Sequence, residues 1–133
     1  MTNPTNLTNL HVTEALLNNT TVTTKTTAGA VTYTAAEVKG GLILRDPNGG
    51  NRSDVFPTAS ELYETFGRPK VGQTFRLHIR NTADAAETIT MTTATGLTLS
   101  GTMTIAQNNA KNFVGVFTSS TAVTIYSLGT VVF

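Results

Sequence analysis

Alternation of apolar and polar residues, which begins near Val71, is the feature that most constrains how this chain folds. Residues 74–80 read TFRLHIR and residues 88–92 read TITMT, so apolar side chains recur at every second position. A period of two places these side chains on one face of a β-strand and the polar ones on the other. We therefore predict that the second half of the chain forms half-buried strands.

Two further segments predict paired strands. Residues 97–105 read LTLSGTMTI, and the Ser-Gly pair between two alternating runs predicts a tight hairpin. Residues 113–126 read FVGVFTSSTAVTIY, in which a Ser-Ser-Thr turn predicts a second hairpin. About six short strands at spacings of about 8 to 12 residues indicate a mainly β fold. We predict an antiparallel β-sandwich or a jelly-roll-like barrel.

Two short helices are predicted before this alternating region. The sequence TAAE at residues 34–37 and the sequence TASE at residues 58–61 both match the capping box. In that motif a threonine and a glutamate three residues later satisfy amide groups that the first helical turn leaves free. Gly40-Gly41 stops the first helix after about six residues, and Gly67 stops the second.

A buried strand and a turn lie between the two helices. Leu42-Ile43-Leu44 is a short apolar run that fits a strand buried on both faces. A structural turn follows at Asp46, Pro47, Asn48, Gly49 and Gly50, with Asp46 or Asn48 accepting hydrogen bonds from nearby backbone amides. A calcium loop of the EF-hand type is not expected here. That loop needs Gly at its sixth position and Glu at its twelfth, where Asn51 and Pro57 stand.

The first 27 residues differ in composition from the rest. They contain Thr-Asn units repeated with a period of three, followed by a stretch rich in threonine, and such a segment cannot bury a core of its own. One interpretation is a disordered tail. The other is an extended N-terminal arm whose Leu7, Leu10 and Val12 bind another surface. We predict an arm over residues 1–27 and a β-sandwich domain over residues 28–133.

Length, charge and composition exclude several classes of function. A chain of 133 residues fits one domain with an arm, and 28 threonines favour strands. A net charge of +1 is too small to hold a phosphate backbone, so we expect no nucleic acid partner. Without cysteine the chain has no disulfide, thiolate zinc site or thiol nucleophile. We expect no secretory signal and no membrane partner, because no basic and apolar leader and no apolar stretch of about 18 residues is present.

No catalytic constellation is recognisable in the chain. His11 and His78 are the histidines, one in the arm and one on the outward phase of a strand, so we expect no metal centre. The serines lack a G-x-S-x-G elbow and a candidate base. Glu61 belongs to a capping box, which leaves Glu64 without a second carboxylate for acid–base chemistry. We expect that the protein is not an enzyme and needs no cofactor.

Two strand segments predict surface contacts. Arg76 and Arg80 alternate outward with His78, which indicates either a solvated face or a contact for acidic side chains of a partner. Residues 113–117 are apolar at both phases. We assign Phe113 and Phe117 to the core and predict that Val114 and Val116 form a subunit interface. The alternative is a central strand shielded by a helix or by the arm.

Three segments together resemble the small head decoration, or capsid cement, proteins of tailed bacteriophages. They are GGLILRDPNGGNRSDVFPTASEL, VGQTFRLHIRNT and GLTLSGTMTIAQNNAKNFVGVFTSSTAVTIY, and the resemblance covers about residues 38 to 126. It implies a β-rich homotrimer made in the host cytoplasm. On the virion it would sit on the outer capsid surface, bind the major capsid protein and fasten the lattice. The two capped helices depart from the best-known decoration proteins.

This departure leaves a second hypothesis open. In it the domain is a receptor- or glycan-binding module of a phage fibre, spike or tail, with the loop from Asp46 to Asp54 as its binding surface. Aromatic side chains that stack on sugars are few, because the chain has no tryptophan and three tyrosines, Tyr33, Tyr63 and Tyr126. We therefore expect a structural virion protein.

Overall fold

The computed structural model describes residues 19–133. Within them the chain forms nine strands and two helices. In chain order these are β1 (Thr21–Lys25), α1 (Ala35–Gly40), β2 (Gly41–Arg45), β3 (Arg52–Val55), α2 (Ala59–Thr65), β4 (Thr74–Asn81), β5 (Ile89–Thr92), β6 (Leu97–Ser100), β7 (Thr104–Ile105), β8 (Asn109–Ser119) and β9 (Ala122–Val132). The prediction of a mainly β fold with two short helices is confirmed.

The strands form two sheets that enclose one core. The larger sheet has the order β1-β2-β4-β8-β9-β6, and the smaller has the order β3-β5-β7. Both sheets are mixed, because β1 with β2, β2 with β4, β6 with β9 and β3 with β5 pair in parallel. Parallel neighbours need a crossover connection, and α1 lies in the one between β1 and β2. The crossover between β6 and β9, by contrast, runs through the strands β7 and β8.

The two predicted hairpins have different outcomes. β8 and β9 form a long antiparallel hairpin around the turn after Ser119, which confirms the second. The predicted hairpin over residues 97–105 is wrong, because β6 pairs with β9 in the larger sheet while β7 pairs with β5 in the smaller. Gly101, at φ 96°, lies in the connection that crosses between the sheets. The Ser-Gly sequence favours a turn, but it does not determine which strand each flanking segment pairs with.

Local capping explains both helices. At α1 the hydroxyl of Thr34 accepts from the Glu37 amide while the Glu37 carboxylate accepts from the Thr34 amide, so the predicted capping box is complete. Gly41 ends this helix in the left-handed region, at φ 89°. At α2 the hydroxyl of Thr58 accepts from the Glu61 amide, but that hydroxyl also donates to the Glu61 carboxylate.

The core lies between the two sheets and under the helices. Its aromatic centre is built on Phe113, which meets Phe56 edge to face with ring centroids 5.7 Å apart. The other fully buried apolar side chains come from both sheets and both helices, and include Val38, Ile43, Leu62, Leu77, Ile79, Ile89, Met91, Ile105 and Ile125. Burying such side chains is the main favourable term in folding.

The predicted arm and the β domain meet in β1. Residues 21–25 lie within the predicted arm, yet they pair in parallel with β2 along their whole length and form one edge of the larger sheet. Gly40 explains the close fit, because a Cβ there would lie 2.6 Å from the carbonyl oxygen of Thr21. Residues 21–25 of the predicted arm therefore belong to the sheet.

Candidate functional site

Strand β8 divides its side chains between the two faces of the larger sheet. Phe113 and Phe117 are 1% and 2% exposed and face the core, which confirms their inward assignment. Gly115 between them leaves room for the ring of Phe75, since a Cβ at this glycine would lie 2.1 Å from two ring carbons. Val114 and Val116 occupy the opposite phase and are half-buried. We call this opposite side of the larger sheet the outer face.

Neighbouring strands account for the half-burial of the two valines. Val114 lies between Arg76 of β4 and Tyr126 of β9 in the register of the sheet. Val116 lies in the same way between threonines of these strands, at positions 74 and 124. Side chains directly opposite on neighbouring strands cover part of a valine's surface without removing it from solvent. The subunit interface at Val114 and Val116 stays a prediction.

The outer face carries exposed apolar side chains. Tyr126 is 41% exposed and Val131 is 55% exposed, and both lie in β9 beside β8. Leu128, at the bulge of β9, is 59% exposed. Val22 on β1 adds a further exposed apolar side chain at the edge of the sheet. Exposed apolar side chains gathered on one face are typical of a protein–protein contact.

Basic side chains on β4 lie beside this apolar surface. Arg76, His78 and Arg80 alternate outward and are exposed, as the sequence predicts. The guanidinium of Arg80 stacks on the ring of Phe133 at 3.5 Å from its centroid, a cation–π contact. The Nδ1 atom of His78 is hydrogen bonded to Oδ1 of Asn112 on β8. The outer face thus combines exposed apolar side chains with a basic strip.

The predicted turn forms, and it does so through the side chain of Asp46. The Asp46 carboxylate accepts a hydrogen bond of 2.8 Å from the amide of Asn48, which confirms one of the two predicted acceptors. Asn48 and Gly49 both have positive φ, 51° and 92°. The Asn48 side chain donates to the carbonyl of Thr26 and so joins the turn to the segment after β1. The residues of this turn have a structural role.

A buried ion pair joins Arg45, the last residue of β2, to Asp54 in β3, the strand that follows the turn. Nε of Arg45 donates to Oδ2 of Asp54 at 2.8 Å, and neither side chain is exposed. The remaining guanidinium donors reach Oδ1 of Asp54 and the carbonyls of Thr27, Gly29 and Asp46. All donors of this arginine are satisfied, as a buried charge requires.

The hydroxyl of Tyr33 completes this network by donating to Oδ2 of Asp54 at 2.8 Å. Burial and the negative charge of Asp54 raise the pKa of the Tyr33 hydroxyl well above its usual range. Both residues were possible ligand contacts of a glycan-binding surface. Their burial removes Asp54 from the loop surface and removes Tyr33 from the aromatic side chains able to stack on a sugar.

An open groove of about 550 Å³ lies between α1 and α2. Its described lining consists of Thr34, Ala35, Ala36, Ser60, Glu61, Glu64 and Thr65. Glu61 accepts from the Thr58 hydroxyl and Glu64 pairs with Arg68, so both carboxylates have partners on α2 or directly after it. Within residues 19–133 no three His, Asp or Glu side chains lie together in a way that would hold a metal ion.

Leu7, Leu10 and Val12, the predicted capsid-contacting residues of the arm, lie outside the described residues. A scan against protein-family models and searches of the curated proteins and the solved structures found no match to this chain. Within residues 19–133 no helix is long and apolar enough to cross a membrane. The outer face is therefore the candidate functional site on the strength of its own geometry.

Sequence reasoning missed the network of Arg45, Asp54 and Tyr33. One signal for it exists, because Arg45 has the same strand phase as the buried Ile43 and so points to the core side. An arginine at an inward phase requires a buried acid. The identity of that acid depends on β3 lying in the other sheet, which no local pattern reveals.

Proposed function

We propose that this protein is a non-enzymatic structural protein of a virion, a decoration or cement protein that binds the outer surface of a capsid lattice. The observation that supports this proposal is the outer face, where exposed apolar side chains lie beside the basic strip of Arg76, His78 and Arg80. Stoichiometric attachment needs such a contact surface and needs no catalytic residue. Many modest contacts repeated over a lattice supply avidity beyond that of a single site.

In this proposal the outer face also joins subunits. Val114 and Val116 form the contact between copies in a homotrimer, and residues upstream of β1 contribute Leu7, Leu10 and Val12 to the major capsid protein. Burying a valine side chain contributes about 1.5 kcal/mol or more. Each of the three subunits contributes Val114 and Val116, so the free energy of trimer association includes this term three times.

The test is attachment to expanded capsid shells of the virus that encodes the protein. We expect the purified protein to bind these shells at a fixed stoichiometry and to raise the temperature at which they rupture. The variant Tyr126→Asp on the outer face should lose binding, while Ser60→Asp, which adds the same charge on α2, should retain it. A protein that neither binds the shells nor changes their heat resistance contradicts the proposal.

Electron microscopy of the virion with a labelled copy of the protein gives an independent result. Density distributed over the head surface supports a decoration protein. Density confined to a fibre, spike or tail tip supports the receptor-binding hypothesis instead, and a glycan array would then identify the ligand.

A further inference from the structure

A cavity of about 430 Å³ opens beside the first half of β4. The described residues that line it are Asn19, Thr20, Lys39, Gly40, Gly41, Phe66, Thr74, Phe75, Arg76 and His78. We call it the β4 pocket. Its lining residues come from the two residues before β1, from β2 and β4 of the larger sheet, and from the C-terminal ends of both helices. The lining includes Gly41 and Phe66, the C-cap residues of α1 and α2, but neither Val114 nor Val116 of the predicted interface.

The pocket exists because β2 is shorter than β4. On one side of β4, residues 74–80 all pair with β8. On the other side β2 pairs with residues 78–81 alone, because α1 occupies the chain up to Gly40. No strand among the described residues lies beside Thr74–Leu77 on this side. An open strand edge presents backbone donors and acceptors that an extended segment can pair with.

The charge and the apolar lining of the β4 pocket indicate which kind of peptide segment can bind there. Lys39, Arg76 and His78 line it, and no described lining residue is acidic. Nζ of Lys39 donates to the carbonyl of Thr65 at 3.2 Å, which holds its ammonium group near the rim. Phe66 and Phe75 stack with ring centroids 4.8 Å apart and supply an apolar wall. The pocket therefore suits a segment that combines a carboxylate with aliphatic side chains.

The chain itself contains such a segment immediately upstream. Residues 14–17 read Glu-Ala-Leu-Leu, and Glu14 is the single acidic residue among residues 1–18. Glu14 precedes Asn19, a lining residue, by five positions, which corresponds to a reach of at most about 17 Å. A connection this short gives an effective concentration of about millimolar or more, which favours the same copy over a neighbouring one.

We propose that the β4 pocket is the docking site for residues 14–17 of the same chain, with the Glu14 carboxylate opposite Arg76 and the leucines against Phe66. This contact anchors the root of the N-terminal segment to the domain. Only the residues before Glu14 then extend toward a partner. Arg76 also belongs to the basic strip that supports the proposed function, but docking is measured within one chain and is therefore tested separately from capsid binding.

The chain has no cysteine, so introduced pairs report proximity without background. In Ala15→Cys with Thr74→Cys, one cysteine lies in the docking segment and the other lines the pocket, while Glu14 and Arg76 are unchanged. We expect rapid oxidation to an internally bridged monomer. The matched pair is Ala15→Cys with Thr98→Cys, because Thr98 on β6 is three strands from β4, about 14 Å away. This control pair should oxidise slowly.

Exchanging the charges of Glu14 and Arg76 distinguishes specific docking from random encounters between two cysteines that a short segment keeps close together. Adding Arg76→Glu to the Ala15–Thr74 cysteine pair should slow its oxidation about tenfold, and adding Glu14→Arg as well should restore it. Arg80→Glu, on the same strand but outside the pocket lining, should leave the rate unchanged. Equal rates with Arg76→Glu and Arg80→Glu, failure of the exchange to restore the rate, or disulfide-linked dimers as the main product would overturn the proposal.

Discussion

The two faces of the larger sheet differ although the same strands build both. On the inner face Phe75 packs against Phe117, and Gly115 is present because the Phe75 ring occupies the space that a Cβ would take. On the outer face Val114 and Val116 lie between an arginine, a tyrosine and threonines, and remain half-buried. The inner face is complete within one chain. The outer face leaves apolar side chains such as Tyr126 and Val131 exposed.

The difference also concerns charge. The inner side holds Arg45 and Asp54 with every guanidinium donor satisfied, whereas Arg76, His78 and Arg80 on the outer side are exposed to solvent. A buried charge without its partner costs several kcal/mol, while an exposed one costs little. Substitutions on the inner side should therefore act on folding, and substitutions on the outer side should act on association.

The largest effect is expected from Asp54→Ala. It leaves Arg45 charged and unpaired in the core and removes the acceptor of the Tyr33 hydroxyl, so we expect a loss of about 3–5 kcal/mol in unfolding free energy. Urea denaturation measures it. The control is Glu64→Ala, which breaks the exposed ion pair between Glu64 and Arg68, with side chains 61% and 71% exposed. For this variant we expect a change of about 0.5 kcal/mol or less in unfolding free energy. Equal losses in the two variants would contradict the comparison.

Gly115→Ala should have the next largest effect. The added methyl group would overlap the Phe75 ring, which cannot move away because Phe66 and Phe117 pack against it. We expect a loss of about 1–3 kcal/mol in unfolding free energy, the usual cost of overpacking a core. Val114→Thr on the outer face, one residue away, should cost less than about 1 kcal/mol. A Gly115→Ala protein as stable as the wild type would show that the inner face tolerates repacking.

Val116→Asp tests the outer face itself. Because Val116 is half-buried and faces away from the core, we expect a folded chain with native circular dichroism. The carboxylate would be desolvated only in a subunit contact, so association should be lost and sedimentation should report a monomer. Association that survives the substitution would place the interface elsewhere, and an unfolded chain would show that this valine belongs to the monomer core.

The smallest effect is expected from the ion pair between Glu37 and Lys25 of the edge strand β1, which acid should weaken. Partial burial alone would raise the pKa of the Glu37 carboxyl, but hydrogen bonds from Thr34 and the ion pair with Lys25, at 3.0 Å, together lower it below 4.5. A lowered carboxyl pKa stabilises the fold above pH 4.5, and this contribution disappears as the pH falls through the folded-state pKa. We expect about 1 kcal/mol or less, measured as the acid-dependent part of stability that Glu37→Gln abolishes.

Features that depend on neighbouring residues were predictable from the sequence. The capping glutamates lie three residues from their threonines, the Asp46 turn closes within two residues, and alternation places Phe113, Phe117 and the outward arginines on the correct faces. Each of these signals arises from contacts inside one strand, turn or helical turn. Their physical basis is the backbone geometry of the local element, which the surrounding fold leaves unchanged.

Only the tertiary structure decided which strands are neighbours. The run at residues 97–105 has the same local signals whether its halves pair with each other or, as they do, with β9 and β5. Arg45 and Asp54 meet across the core because β2 and β3 lie in different sheets. The β4 pocket exists because β2 begins only after α1 and pairs with residues 78–81 of β4 alone. Pairing free energy comes from contacts between residues far apart in sequence, so period and propensity determine how a strand faces the core but not which strand lies beside it.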